Sequence, residues 1–164
     1  MLSTHDIKGV LPSQLIRRLI QKGHIKFTNP INEEQLKQQI QPATLDTRLL
    51  GPIHRVNGFH APERNETVEQ VLKNSSIYKF NINEDRPHPV ERGISYVVEL
   101  NETLSLPSDI SAEVDTKSTG GRNFLRCRVV TDNNPRHNII PNGYEGKLFL
   151  EFTSLAFLER FRAG

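Results

Sequence analysis

The sequence predicts a mainly β domain that follows a short helical N-terminal segment. An apolar stripe with helical spacing lies near the start, and the pattern changes period after Ala43. From there, short segments rich in β-branched and aromatic residues alternate with clusters of Gly, Pro and Asn. With 164 residues and 35% hydrophobic content, the chain fits one globular domain.

Two helices are predicted in the first quarter of the chain. In LPSQLIRRLIQKG, apolar residues recur on one helical face, with Pro12 near the start and Gly23 after the end. In INEEQLKQQI, Asn32 is a candidate N-cap, and acidic residues follow it in the first turn. Residues 57–74 are predicted as a loop with one helical turn at TVEQVLKN.

Seven strands are predicted in the remainder, which favours an all-β sandwich or a barrel-like body. Their sequences are ATLDTRLLG (43–51), SSIYKFNI (75–82), ISYVVEL (94–100), DISAEVD (109–115), FLRCRVV (124–130), KLFLEFTS (147–154) and AFLERF (156–161). The last strand is followed by a turn residue and by no partner strand, so we expect a fragment, or a domain that another chain or domain completes.

Charge, hydrophobic pattern and cysteine content exclude several classes of protein. A net charge of +2 is too small for a general nucleic-acid binder, so any anion site should be local. No apolar run approaches the ~18 residues of a membrane span. The first residues show neither the basic head nor the apolar stretch of a secretory signal. Cys127 is the single cysteine, so no internal disulfide is possible and a cytoplasmic location is expected.

The segment KSTGGR (117–122), here called the clamp, gathers the groups of an anion-binding loop. Glycines let backbone N–H groups converge, hydroxyls donate hydrogen bonds, and two cations add charge-assisted ones. Its spacing differs from that of a Walker loop. A hairpin turn with solvated cations is the alternative interpretation, and the spacing alone does not decide between the two.

Glu151 is the candidate acid/base residue. Strand alternation in GKLFLEF places it on one face with Phe149, opposite Leu148, Leu150 and Phe152. A carboxylate in a partly buried pocket beside an aromatic ring is suited to general-base chemistry. A solvent-facing glutamate on a half-exposed strand is the alternative.

Other catalytic patterns have little support. The six histidines share no motif, HExxH is absent, and one cysteine cannot supply the Cys pair of zinc nucleoside deaminases, so no zinc is expected. The G-x-S-x-G elbow of serine hydrolases is also absent. Asp46 and Arg48 would share a strand face, where a local ion pair or a contact across a subunit interface is favoured over catalysis.

Five segments in a fixed order carry a resemblance to a known family. They are GVLPSQLIRRLIQKGHI, QIQPATLDTRLLG, LSLPSDISAEVDTKSTGGR, RVVTD and IIPNGYEGKLFLEF. From Val10 to its end the chain resembles the dCTP deaminases of the dUTPase-like superfamily, most closely the first domain of the long, two-domain type. The resemblance implies a dUTPase-like distorted β-barrel or sandwich. It also implies that residues 1–164 form a single domain, truncated at its C-terminal edge or the first half of a tandem pair.

The resemblance further implies an enzyme that converts dCTP to dUTP and ammonia by hydrolysis. Glu151 would be the general acid/base, and Ser118 and Arg122 would polarise the pyrimidine and the attacking water. Lys117 and Thr119 would contact phosphate, Tyr144 would pack on the deoxyribose, and the backbone of residues 130–132 would contact the base edge. The implied substrate-binding set is Lys117, Thr119, Gly120, Gly121, Val130, Thr131, Asp132 and Tyr144.

The resemblance implies Mg²⁺ bound through the substrate triphosphate, and a homotrimer or a pseudo-trimer of tandem domains. Short family members carry an aspartate near the sugar 3′-hydroxyl where this sequence has Pro141, so the sugar contact must differ. A second hypothesis is a dUTP pyrophosphatase, alone or combined with deamination, with Asp132 as the carboxylate near the α-phosphate water. A third is a non-catalytic domain that binds nucleotide or builds an oligomer.

Overall fold

The computed structural model describes residues 9–81 and 88–161, and the predicted truncation point at residues 162–164 lies outside them. The fold is mainly β, as predicted. The helices are α1 (Ser13–Gln21), α2 (Glu33–Gln39), α3 (Val68–Ser75) and α4 (Ser118–Arg122). The strands are β1 (Ile25–Phe27), β2 (Ile53–Val56), β3 (Ser76–Phe80), β4 (His88–Val90), β5 (Ser95–Ser105), β6 (Ala112–Glu113), β7 (Leu125–Val130), β8 (Ile139–Ile140), β9 (Glu145–Ser154) and β10 (Glu159–Phe161). Within the described ranges, no helix has the length and apolar character needed to cross a bilayer.

The main sheet has six antiparallel strands. Its order is β3-β2-β5-β9-β7, and β1 pairs with β5 beside this path. Two small antiparallel sheets, β10-β4 and β6-β8, accompany it. Along the described strands the order has two ends, β3 and β7, so the sheet is open and does not form a closed barrel.

The core lies on both faces of the long β5–β9 pair. One face packs under α3, and its cluster is Val56, Ala61, Val68, Leu72, Val97, Val130 and Phe149. The opposite face holds the cluster Ile53, Val90, Tyr96, Val98 and Phe152. Phe149 and Phe152 therefore lie on opposite faces, which confirms the predicted alternation of β9.

Helix α3 is longer than the single turn that the sequence predicts. It begins at a capping box, in which Thr67 and Gln70 each accept a hydrogen bond from the other's backbone N–H. Lys147 of β9 ties the helix to the sheet, because its Nζ lies 3.1 Å from Glu69 and 3.3 Å from Glu99. The same kind of capping box starts α2 at Asn32, as predicted.

The segment ATLDTRLLG, predicted as a strand, does not form one. It makes two isolated bridges, Ile40 with Leu45 and Leu49 with Leu100. The two bridges join the segment to different parts of the chain. The segment therefore forms no continuous strand pairing with either of them. Strands β1, β2, β4 and β8 were not predicted, since two to four residues are too few to show alternation.

The buried carboxylate of Glu102 anchors this irregular segment. Glu102 is fully buried on β5. Its Oε1 accepts a hydrogen bond from Gln39 Nε2 at 2.8 Å, and its Oε2 accepts one from Arg48 N at 3.1 Å. Burial raises the pKa of Glu102, while these donors act in the opposite direction.

We expect Glu102→Gln to destabilise the fold by about 1–3 kcal/mol. The NH₂ group of the new glutamine would point at one of the two N–H donors, and that donor would then lack an acceptor. Chemical denaturation at neutral pH measures this as a lower midpoint with an unchanged slope. Glu63→Gln, at an exposed position, is the matched control. Equal midpoints for the two variants would contradict the anchoring role.

Candidate active site

Glu151 lies on β9 with its side chain buried and 6% of the residue exposed. Its cross-strand neighbours are Val97 of β5 and Arg128 of β7. The carboxylate oxygen Oε2 is buried and has no hydrogen-bond partner among the described residues. The alternative of a solvent-facing glutamate is therefore wrong, and the strand presents a carboxylate with free accepting capacity in a sheltered place.

Two basic side chains face this carboxylate. Arg128 Nη1 lies 3.9 Å from Glu151 Oε2, and His137 Nε2 lies 3.7 Å from the same oxygen. Burial and the Arg128 guanidinium lower the pKa of His137, whereas Glu151 acts to raise it. Glu151, Arg128 and His137 thus form a compact charged cluster at the edge of the sheet.

The turn after β7 places His137 in this cluster. Asn138 closes the turn onto Val129: its Oδ1 accepts from Val129 N at 2.7 Å, and its N donates to Val129 O at 2.8 Å. The amide of Asn134 donates to Thr131 Oγ1 at 3.0 Å and to Ile139 O at 2.6 Å. The turn is therefore held at both ends, and His137 is carried back beside β7.

The predicted base-edge segment, residues 130–132, runs from β7 into this turn. Val130 and Thr131 are buried, with 0% and 1% exposed. Asp132 Oδ1 accepts a hydrogen bond from Val68 N at 2.7 Å, so this carboxylate caps the N-terminus of α3. The segment thus joins β7, the strand that pairs with the Glu151 strand, to helix α3.

Tyr144 stands at the start of β9 with 8% of the residue exposed. Its hydroxyl donates to Lys147 O at 2.6 Å. Burial, reinforced by the Asp132 carboxylate, raises the pKa of Tyr144 to about 12, so the hydroxyl remains a neutral donor. The ring belongs to a core cluster that also contains Ile140 of β8 and Leu148 of β9.

Gly146 makes room for this ring. A Cβ at position 146 would lie 2.6 Å from the Tyr144 hydroxyl oxygen and 3.0 Å from Cζ, and the backbone has φ +152°. We expect Gly146→Ala to destabilise the fold by about 1–3 kcal/mol through overpacking and backbone strain. Thermal unfolding checks this. Gly51→Ala is the control, because a Cβ there meets its nearest atom at 3.8 Å.

The clamp forms α4, a helix of five residues, where the sequence predicts a loop. It connects β6 to β7, and these strands pair with other partners, so the alternative of a hairpin turn is also wrong. Lys117 precedes the helix, and its Nζ forms an ion pair with Asp46 Oδ2 at 2.6 Å. The local ion pair suggested by the sequence would join Asp46 to Arg48. In the structure, Asp46 pairs instead with Lys117 of the clamp.

Within one chain, the clamp and Glu151 are apart. Leu125 pairs with Ser154 and Arg128 with Glu151. The start of β7 is therefore about 10 Å along the strand from the Glu151 pair. In the described part of the chain, no hydrogen bond or ion pair joins Glu151 to residues 117–122. The other predicted clamp side chains, Ser118, Thr119 and Arg122, are exposed, and Gly120 and Gly121 lie in the helix between them.

A groove of about 390 Å³ runs between α3 and the sheet. Its floor includes Phe149, which shares a sheet face with Glu151, and its polar wall includes His54 and Glu99. Neither Glu151 nor any clamp residue lines it. The predicted catalytic residues therefore belong to a different surface from this groove.

Sequence reasoning missed Arg128 and His137. Alternation in FLRCRVV places Arg126 and Arg128 on one face, but only the pairing of β7 with β9 shows that this face is that of Glu151. His137 carries no local signal, because it reaches Glu151 through a turn closed by two asparagine side chains.

The chain is similar to known proteins along most of its length. A protein from Methanosphaera stadtmanae named dCTP deaminase, dUMP-forming, is 28% identical over 154 residues, which cover 90% of this chain and 69% of that protein. One of the same name from Methanothermobacter thermautotrophicus is 23% identical over 154 residues, with the same coverage.

A solved structure has the same fold. The crystal structure of 2'-deoxycytidine 5'-triphosphate deaminase from Agrobacterium tumefaciens matches with a TM-score of 0.87 and 33% identity. The match covers 95% of this chain and 44% of that one, so this chain spans less than half the length of the crystallised protein. Residues 7–164 match the family described as the 2'-deoxycytidine 5'-triphosphate deaminase (DCD) N-terminal domain. Because this match includes almost every residue, the chain belongs to the family of dCTP deaminase N-terminal domains.

Proposed function

We propose that this chain catalyses the hydrolytic deamination of dCTP to dUTP and ammonia, with Glu151 as general acid and base. The observation that carries the proposal is the buried Oε2 of Glu151, which lacks a hydrogen-bond partner among the described residues. The names of the relatives, dCTP deaminase, support the same substrate.

The reaction divides into two proton relays through Glu151. Glu151 takes a proton from water as the water oxygen bonds to C4 of cytosine and passes it to N3, giving a tetrahedral intermediate with a C4 hydroxyl. It then moves the proton of that hydroxyl to the exocyclic nitrogen, the C4–N bond breaks, ammonia leaves, and the C4 carbonyl forms. A positioned carboxylate that moves protons in this way contributes about 10²–10⁴ in rate.

The clamp would act on the substrate of a neighbouring subunit. Ser118 and Arg122 are exposed and lie away from Glu151 of their own chain, so they are free to complete another chain's site. An exposed apolar patch beside the clamp suits such a contact, with Phe124, Phe157 and Leu158 exposed by 56%, 54% and 62%. We therefore include a homotrimer, or a pseudo-trimer of tandem domains, in the proposal.

Magnesium enters this proposal with the substrate. Among the described residues, no group of three or more His, Cys, Asp or Glu side chains could hold a metal ion. Bound through the substrate triphosphate, Mg²⁺ would neutralise part of the phosphate charge. Lys117, Thr119, Gly120 and Gly121 would then contact the remaining phosphate oxygens.

A second candidate is deamination coupled to pyrophosphate release, which yields dUMP. It is favoured by the relatives' full name, dCTP deaminase, dUMP-forming. This chemistry needs a carboxylate near the water that attacks the α-phosphate. Asp132 is the candidate, and one of its oxygens already caps α3.

Incubation with dCTP and Mg²⁺ tests both candidates, with ammonia and pyrophosphate measured separately and dUTP as a second substrate. Ammonia without pyrophosphate supports the first candidate, and both products support the second. Nucleotide binding without either product would overturn both and favour a non-catalytic nucleotide-binding or oligomerisation domain.

A further inference from the structure

We propose that His137 is a positioning residue for Glu151, one that orients the carboxylate through its oxygen Oε2. The inference rests on the proposed role of Glu151 in deamination. The His137 ring nitrogen Nε2 lies 3.7 Å from Oε2, slightly beyond hydrogen-bond distance. Catalytic hydrogen bonds are often long before substrate binds and shorten when the site closes.

The local structure places His137 beside Glu151. Asn138, the next residue, is bound to Val129 through both its backbone N–H and its side-chain oxygen. Val129 is in turn adjacent to Arg128, which pairs with Glu151 across the strands. A short, doubly closed turn therefore brings the imidazole to the carboxylate, and the side chain of His137 retains 30% exposure.

The two basic neighbours have different effects on Glu151. Arg128 is permanently charged, and its Nη1 lies 3.9 Å from the carboxylate. A neutral imidazole can donate a hydrogen bond to Oε2 without adding charge. It can therefore orient the carboxylate without placing a second cation beside it.

The surroundings keep the imidazole neutral near pH 7. Burial and Arg128 lower the pKa of His137 below its usual value, Arg126 acts in the same direction, and Glu151 opposes them. The neighbour of Glu151 on β5 is the apolar Val97. The charged groups that act on His137 are Arg128 and Arg126 of β7 and Glu151 of β9.

A pH dependence follows from this arrangement. As the pH falls through the pKa of His137, the ring gains a proton and becomes a second cation beside Glu151. The carboxylate then accepts a proton from water less readily, and deamination slows. Without His137, the decline on the acid side should move to lower pH, because the cation that forms beside Glu151 is gone.

The first test is His137→Gln in the full chain, assayed for ammonia release from dCTP across pH. We expect kcat at neutral pH to fall about tenfold, KM to stay within about twofold, and the acid decline to move to lower pH. His60→Gln is the control, because that side chain is exposed and pairs with Glu66. A His137→Gln profile that overlays the wild-type profile would overturn the positioning role.

A second measurement needs no turnover. The His137 ring proton is titrated by NMR and assigned by its loss in His137→Gln. In Glu151→Gln we expect the midpoint to move to lower pH, because the carboxylate that raises this pKa is gone. Absence of ammonia release by the wild type would reject the proposed function alone, whereas an unchanged His137 midpoint in Glu151→Gln would reject the contact.

Discussion

Replacing Glu151 with glutamine is expected to lower kcat for ammonia release from dCTP by at least ~10² and to leave nucleotide affinity within a few-fold of wild type. Glutamine keeps the shape of the side chain but cannot accept and return a proton. Stopped-time assays of ammonia give kcat, and isothermal titration with dCTP gives the affinity.

The buried position of Glu151 makes a stability control necessary. The carboxylate is 6% exposed beside Arg128 and His137, so its removal leaves two basic groups without their partner. Thermal unfolding of Glu151→Gln separates a folding defect from a catalytic one. Turnover equal to that of wild type in a folded variant would eliminate the proposed mechanism.

The sequence was sufficient where the signal is local and periodic. Alternation along β9 correctly separated Phe149 and Glu151 from Phe152, because the side-chain direction of a strand repeats every two residues. The apolar stripe of α1 likewise predicted its buried face, which contains Leu15, Ile16 and Leu19.

The sequence was insufficient where distant segments decide the structure. The segment ATLDTRLLG is predicted as a strand, yet the buried Glu102 of β5 accepts a hydrogen bond from Arg48 N and one from Gln39, whose amide also donates to Asp46 O. The contact of Arg128 with Glu151 depends on the β7–β9 register, which no local pattern specifies. The clamp contains two glycines and reads as a loop, but hydrogen bonds such as Gly121 N to Lys117 O close it into a helical turn.

The second large effect is expected from substitution of Arg122, a clamp residue that lies apart from Glu151 of its own chain. Arg122→Ala is expected to lower kcat/KM for dCTP by about 10- to 150-fold, because a charge-assisted donor contributes about 1.5–3 kcal/mol. Both kcat and KM should change, since the guanidinium would contact the substrate before and during reaction. Arg122→Lys should recover part of the loss, because it keeps the charge and loses the planar pair of donors.

A mixing experiment shows whether Arg122 acts on its own chain or on a neighbour. The folded variants Glu151→Gln and Arg122→Ala are combined in equal amounts, dissociated and reassembled. If each site takes Glu151 from one subunit and Arg122 from the next, random assembly restores both residues in about a quarter of the sites. Activity should then rise toward about a quarter of the wild-type value. Activity no higher than the mean of the two parent variants would place both residues in one chain's site and would overturn the shared-site arrangement.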